Sequence, residues 1–233
     1  MTTAYFVSGI DTDVGKSVVT GILARSLQSQ GHKVITQKFV QTGCVGISED
    51  IETHRHIMGI ELQEVDLNGT TCPFVFAYPA SPHLAAAMDN KQVEPEIIRQ
   101  ATKELERKYE IVLVEGAGGL YVPISHSLMT IDYIRNYNYP LILVTSPKLG
   151  SINHTLMSLE LCRLHKINVA AIVYNDYPKS SEPIKSDTLN IIKYYICRFY
   201  PHCQILELPF IENMGTGGEY PSLLITRTSS SPQ

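Results

Sequence analysis

The sequence predicts an α/β fold, a mostly parallel sheet covered by helices on both faces. Three observations carry that reading. Short runs that are apolar at nearly every position recur along the chain, as in IVLVE (111–115), PLILVTS (140–146) and VAAIVYN (169–175). The stretches between them show helical periodicity, and the first run passes through a glycine-containing turn straight into the first helix. A strand that is apolar on both sides is buried on both sides, which is the condition of a parallel sheet between helical layers.

The elements follow in order. Ala4–Ser8 (AYFVS) reads as the first strand, closed by Gly9. Lys16–Gln30 reads as a helix, because Val19, Ile22, Leu23 and Leu27 share one face, and Gly31 stands where a glycine ends a helix. Lys33–Phe39 is the second strand. Residues 41–73 are polar and without clear period, which predicts loops around a short helix. Ser81-Pro82-His83 has the form of a helix start, Ser as N-cap and Pro in the first turn, running through Leu84–Met88. Ile97–Arg107 is a further helix, and Ile111–Glu115, Pro140–Ser146 and Val169–Asn175 are strands. Ile152–His165 lies between the last two strands as a helix, with Ile152, Leu156 and Leu159 in register. No repeat and no long Gly/Ser/Pro linker divides the chain. Residues 1–225 are therefore read as one domain and 226–233 (TRTSSSPQ) as a frayed tail.

Composition narrows the function classes. With 233 residues, 18% charged, the chain is less charged than the roughly 25% of an average globular protein, which argues against solvated disorder. A formal net charge of −4 argues against broad capture of nucleic acid or of anionic membrane. No run reaches the ~18 apolar residues of a membrane span, and MTTAYFVSG has neither the basic flank nor the apolar length of a secretory signal. Five scattered cysteines without a C-x-x-C pair speak against a disulfide framework or zinc ribbon, and the expectation is a cytoplasmic protein. His54, His56, His202 and Cys203 lack metal-site spacing and are read as surface or core residues.

The chemistry concentrates in Gly9–Ser17, GIDTDVGKS, between the first strand and the first helix. That is the context of a phosphate loop, and it makes the fold P-loop NTPase-like. Glycine lets backbone N–H groups converge, and the helix N-terminus adds about half a positive charge. Lys16 is placed to reach the β- and γ-phosphates, and the Ser17 hydroxyl to ligate Mg²⁺. The usual spacing puts a glycine at the position of Ile10; here it stands one place earlier, at Gly9. The alternative is a glycine turn capped by Asp13 ahead of an ordinary helix. Elsewhere, Lys38 ends the second strand, where doubly wound sheets place ligand-binding groups, or else it reaches to solvent. Glu115 ends a strand before Gly116-Ala117-Gly118-Gly119, placed either to hold a metal opposite Ser17 or to open a flexible turn.

GIDTDVGKS resembles the G-T-D-T-x-V-G-K-T loop of the dethiobiotin synthetases, with Ile10 and Ser17 each in place of Thr. QKFVQTG (37–43) is similar to the family's Y-K-P-V-x-S-G, and SPH (81–83), VEGAGG (114–119) and KLGSINH (148–154) follow in the family's order. The similarity runs from residue 4 to about 177. It implies an ATP-dependent ligase that carboxylates 7,8-diaminononanoate with CO₂. The ureido ring then closes through a carbamic–phosphoric anhydride, giving dethiobiotin, ADP and phosphate. Mg²⁺ and a homodimer are implied as well.

Residue by residue, the resemblance makes Lys16 and Lys38 catalytic. It assigns Ser17, Glu115 and Asp50 to the metal, although Glu49 or Glu52 can take the place of Asp50 across a loop shorter than the family's. Nucleotide contacts fall to Thr12, Asp13, Val14, Gly15, Lys16, Ser17, Val18, Asp50, Glu115, Gly116, Ala117 and Gly118. Asn175 and Pro209 are expected at the base. The segment Leu206-Glu207-Leu208-Pro209 has Leu206 where the family has glycine, which leaves base preference open. Substrate contacts fall to Thr42 and Gly118, and to Leu149, Gly150, Ser151 and Asn153 reaching across the dimer. The competing class is a nucleotide-dependent switch ATPase of the partitioning type. Those carry a lysine where this chain has Thr12.

Overall fold

In the computed structural model, which describes residues 3–212, 220–223 and 225, the elements run in this order. The first half holds β1 (Thr3–Gly9), α1 (Lys16–Ser29), β2 (Val34–Lys38), β3 (Gln41–Thr42), α2 (Glu49–Met58), α3 (Glu64–Leu67), β4 (Val75–Phe76), α4 (Pro82–Met88) and α5 (Pro95–Lys108). The second holds β5 (Ile111–Gly119), β6 (Pro123–Ser125), β7 (Leu128–Met129), α6 (Thr130–Asn136), β8 (Leu141–Thr145), α7 (Ser151–Leu164), β9 (Val169–Asn175), α8 (Glu182–Phe199) and β10 (Gln204–Leu208).

Six strands form one sheet in the order β10-β9-β8-β1-β5-β2, every neighbouring pair parallel. Side chains alternate across it as the two-residue period of a strand requires. Phe6, Ile35, Val112, Val114, Leu141, Leu143 and Ile172 face one core with residues of α5, α6, α7 and α8. Val7, Val34, Ile111, Leu113, Ile142, Val144 and Val173 face the other, with residues of α1 and α2. The fully apolar strands in the sequence are thus accounted for by two cores back to back. Burial of this kind is worth roughly 25 cal/mol per Å² of apolar surface, so the two cores supply most of the force that holds the sheet flat against its helices.

The strands read from sequence all appear, with ends shifted by at most a residue except in β5, which runs four residues past Glu115 to Gly119. Residues 41–73 carry more order than predicted, a ten-residue helix α2 and the one-turn α3. Helix α8 and strand β10, beyond the last predicted element, complete the sheet edge. All five cysteines are free thiols. Among the described residues no helix is long and apolar enough to cross a membrane. The proposed tail 226–233 lies outside the described residues.

Candidate active site

The parallel sheet brings the carboxyl ends of β1, β2, β5 and β9 to one edge, and the singled-out residues gather there. Gly9 marks where β1 leaves the ladder: a Cβ at that position would stand 2.6 Å from Val14 Cγ2 and 2.7 Å from the Asp11 carbonyl oxygen. Only glycine fits so close a return of the chain, which explains why the glycine precedes its customary place. Gly15 is the N-cap of α1, with φ of 82°, and no side chain caps the helix. Asp13 sits at φ 55° and does not bond the first turn, so the turn-and-cap alternative is not what forms. The first-turn N–H groups are left without a side-chain acceptor, the condition for an anion at a helix start.

A cavity of about 360 Å³ opens over this loop. Thr12, Asp13, Gly15, Lys16, Ser17 and Val18 form one wall; Lys38, Thr42, Asp50, Glu115, Ala117 and Gly118 form much of the rest. Register explains the second wall. Lys38 pairs with Glu115 across β2 and β5, and the two side chains meet at 2.8 Å. Lys38 Nζ also donates to the Gly116 carbonyl at 3.3 Å and forms an ion pair with Asp50. A lysine with these partners and almost no exposure is not a solvent-seeking one.

The short loop before α2 separates its acids by the direction they face. Ser48 caps the helix, its Oγ accepting from Ile51 N at 3.3 Å and donating to Gln41 Oε1 at 2.6 Å. That fixes Asp50 facing inward, while Glu49 and Glu52 are exposed. Ser17 Oγ lies 2.6 Å from Asp50 Oδ1 and 3.0 Å from Glu115 Oε1. One hydroxyl proton cannot serve two carboxylates at once. With Lys38 already paired to both acids, three hard oxygens still converge at one point, a donor set that suits a divalent cation such as Mg²⁺. Among the described residues no group of three or more His, Cys, Asp or Glu is set to cage a metal. A cation here would need its remaining ligands from water and phosphate, as Mg²⁺ usually takes them.

The electrostatics of the walls differ. Burial pulls the Lys38 ammonium down, but the carboxylates of Glu115 and Asp50 outweigh it and hold its pKa above the ordinary lysine range. Burial pushes Glu115 up, and the Lys38 charge with the His54 hydrogen bond carries it well below the carboxylate range instead. Lys16 is lowered, by burial first and by the Lys38 charge second. Its ammonium donates to the Asp11 carbonyl, at 3.0 Å, within its own loop.

The remaining expected residues, Val14, Gly116, Asn175, Pro209 and the segment after Lys148, do not line this cavity. Val14 packs under the loop, and Asn175, at the end of β9, donates from Nδ2 to the Val14 carbonyl at 2.9 Å. A Cβ on Gly15 would stand 2.4 Å from that same nitrogen. Leu208 pairs with Asn175 across β10 and β9, so exposed Pro209 follows directly beside it. Leu149, Gly150, Ser151 and Asn153 do not reach the main cavity. Leu149 and Ser151 line a separate small cavity against Ile10–Val14 on the other side of the loop, and Leu149 is 79% exposed.

Sequence reading missed the support behind Glu115. His54 and Arg55, on the buried face of α2, hydrogen-bond Thr36, and Arg55 is clamped by Asp66 at 2.8 and 2.7 Å. The one available signal was their place beside Ile51, Ile57 and Met58 in what proves to be a helical stripe.

Fold and site together define a phosphate-loop ATPase-type α/β protein. The solved structures agree on the fold: a ParA family ATPase from Chlorobium tepidum superposes with a TM-score of 0.53 at 16% identity, covering 91% of this chain and 86% of that one. MinD from Pyrococcus horikoshii gives 0.51 at 16%, over 81% and 77%. At those identities the likeness is one of fold alone. A family described as an AAA domain matches residues 3–213. The chain is 54% identical over 203 residues to the ATP-dependent dethiobiotin synthetase BioD 2 of Haemophilus ducreyi, covering 87% of this chain and 96% of that protein. It is 51% identical over 193 residues to the ATP-dependent dethiobiotin synthetase BioD of Chlorobaculum tepidum, covering 83% and 81%. The chain belongs to the ATP-dependent dethiobiotin synthetase family. The match also runs further than the motifs suggested, past residue 177 and through β10.

Proposed function

We propose that this protein carboxylates 7,8-diaminononanoate and closes its ureido ring at the expense of ATP. The observation that carries the reading is the meeting of two buried ammonium groups, Lys16 and Lys38, with Ser17, Asp50 and Glu115 around one cavity over a phosphate loop. An amine of the substrate adds CO₂ to give a carbamate. A carbamate oxygen attacks the γ-phosphorus, the bond to ADP breaks, and a carbamic–phosphoric anhydride results. The second amine attacks the carbamate carbon and expels phosphate, closing a five-membered ring.

Nothing in this sequence needs a covalent nucleophile from the protein. What it needs is alignment and an offset for the charge spread over the transferred phosphoryl oxygens. Lys16 and the uncapped first turn of α1 supply that offset from one side, Lys38 from the other. Ser17, Asp50 and Glu115 are the residues that would hold Mg²⁺, which neutralises phosphate charge when bound. Thr42 and Gly118 border the same cavity and are the nearest candidates for the diamine. Asn175 and Pro209, side by side at the β9–β10 edge, are the residues we assign to the base.

The segment from Leu149 to Asn153 opens α7 outside the cavity, which suits a site completed by a second copy of the chain. Ser146 and Ser151 carry buried hydroxyls there without a hydrogen-bond partner among the described residues, beside a helix start fit for a carboxylate. We place the chain in the cytoplasm, as one domain acting as a homodimer.

Phosphate release measured with ATP and Mg²⁺, with diamine and bicarbonate omitted in turn, tests the reading, with dethiobiotin identified by mass. Release that proceeds equally without diamine would overturn it.

A further inference from the structure

We propose that His54 is a positioning residue: it occupies Glu115 Oε2 so that Oε1 stays turned to Ser17 and Lys38, and the buried Arg55–Asp66 pair fixes the imidazole tautomer that does this. The inference rests on the reading of Glu115 as a group that faces a nucleotide-bound cation.

The geometry is a chain of buried contacts. Asp66 accepts from Arg55 Nε and Nη2, and Thr71 Oγ1 donates to Asp66 at 2.7 Å. Arg55 Nη1 reaches Thr36 Oγ1 at 2.7 Å. Thr36 Oγ1 lies 2.9 Å from His54 Nδ1, and His54 Nε2 lies 2.6 Å from Glu115 Oε2. Thr36, His54 and Glu115 are wholly buried.

Proton polarity then follows from which groups can only donate. A guanidinium has no acceptor, so the Arg55 contact takes a lone pair of Thr36 Oγ1. The threonine keeps one proton, and its other close partner in the described structure is His54 Nδ1. A carboxylate only accepts, so His54 Nε2 carries a proton toward Glu115, and a bare Nδ1 is the form that gives the threonine proton an acceptor. Glu115 is thereby held at one oxygen by the protein interior, and its other oxygen is at 2.8 Å from Lys38 and 3.0 Å from Ser17. Partners one step behind a ligating carboxylate fix its orientation, and their loss typically costs about 10–100-fold in metal affinity.

The test uses the full chain with Mn²⁺ as a paramagnetic stand-in for Mg²⁺, in the presence of ADP. His54→Leu is expected to weaken Mn²⁺ binding, read by electron paramagnetic resonance, by about 10–100-fold. His54→Gln, whose amide supplies a donor near the Nε2 position, is expected to restore most of that loss. ¹⁵N NMR of histidine-labelled wild-type protein is expected to show His54 protonated at Nε2 and bare at Nδ1, and Thr36→Val to release that preference. A proton on Nδ1 in the wild type, Mn²⁺ affinity unchanged in His54→Leu, or a folded His54→Gln as weak as His54→Leu would each overturn the proposal. If His54→Leu does not fold, the wild-type tautomer and the response to Thr36→Val decide. None of these readouts involves the diamine, so a failure to form dethiobiotin would sink the proposed reaction and leave this inference standing or falling by itself.

Discussion

Lys16 and Lys38 stand on opposite walls of one cavity, buried to nearly the same degree, at 8% and 5% exposure, and they differ in company. Lys38 has two carboxylates and a carbonyl, and its charge is part of the balance of the folded protein. Lys16 has one carbonyl of its own loop and the repulsion of Lys38, and Glu115, Asp50 and Asp13 attract it without forming an ion pair that outweighs its burial. Burial alone lowers the pKa of any ammonium, so the opposite directions of the two shifts measure what faces each group. One wall is electrostatically complete. The other holds a cation at a cost to stability that an incoming polyphosphate would relieve. This is the usual relation of a binding site to its scaffold, with stability yielded where function needs a group unpaired.

The sharpest way to break this comparison is to remove each lysine in turn. Lys16→Ala is expected to lower phosphate release by about 10³-fold or more, by analogy with the loss of a group aimed at developing charge. A lysine whose folded pKa lies below its unfolded value costs stability at neutral pH. Lys16→Met is therefore expected to melt at or above the wild-type temperature, and a clear fall in Tm would refute the contrast. Lys38→Met is expected to lose activity and also about 3–5 kcal/mol of stability in urea unfolding, since Asp50 and Glu115 are left buried without their counter-charge. Adding Glu115→Gln to Lys38→Met should recover part of that loss; a strictly additive double variant would mean the pair is not coupled.

Acid sharpens the comparison further. Asp66 is pushed up by burial but held below the carboxylate range by the Arg55 hydrogen bonds and charge, as Glu115 is by Lys38. A carboxylate with a depressed folded pKa contributes stability that is present above its unfolded value, near 4, and lost as pH falls toward the folded value. Urea midpoints followed from pH 7 to 3 should fall below about pH 4, and less so in Asp66→Asn. Midpoints that stay flat over this range would contradict both assignments. The smallest effect belongs to Asn175. Asn175→Ala removes one hydrogen bond to the phosphate loop, so ATP affinity by calorimetry should drop by only about fivefold, the equivalent of ~1 kcal/mol. Repeating the titration with GTP and CTP tests whether the β9–β10 edge reads the base, and equal affinity for all three would say that it does not.

How much of this was legible varies along the chain for physical reasons. Fully buried parallel strands must be apolar at each position, so β5, β8 and β9 were visible without a structure. Helix α2 was legible only as a short helix without a place in 41–73, because its buried face includes His54 and Arg55 among Ile51, Ile57 and Met58, and polar residues on an inner face blur the period that locates a helix. The same fact hid the support of Glu115. A histidine and an arginine in a polar stretch look like solvent-facing residues until the partners that satisfy them, Thr36 and Asp66, are brought near from separate elements. The glycine at position 9 was visible as an oddity, and its reason, the approach of Val14 and the Asp11 carbonyl, was not.

The sequence alone determined the α/β class and the phosphate loop with its Lys16, since each depends on local pattern: a two- or three-to-four-residue period, or a fixed spacing between a strand and a helix; it singled out Lys38 but left it between cavity and solvent. The tertiary structure decided which acid faces Ser17, that Lys38 and Glu115 share one register of β2 and β5, and that the segment after Lys148 lies outside the cavity. Those are pairings between residues from tens to about a hundred positions apart, and no local pattern encodes them. Burial, strand register and the need to satisfy every buried polar group act only once the chain has closed on itself.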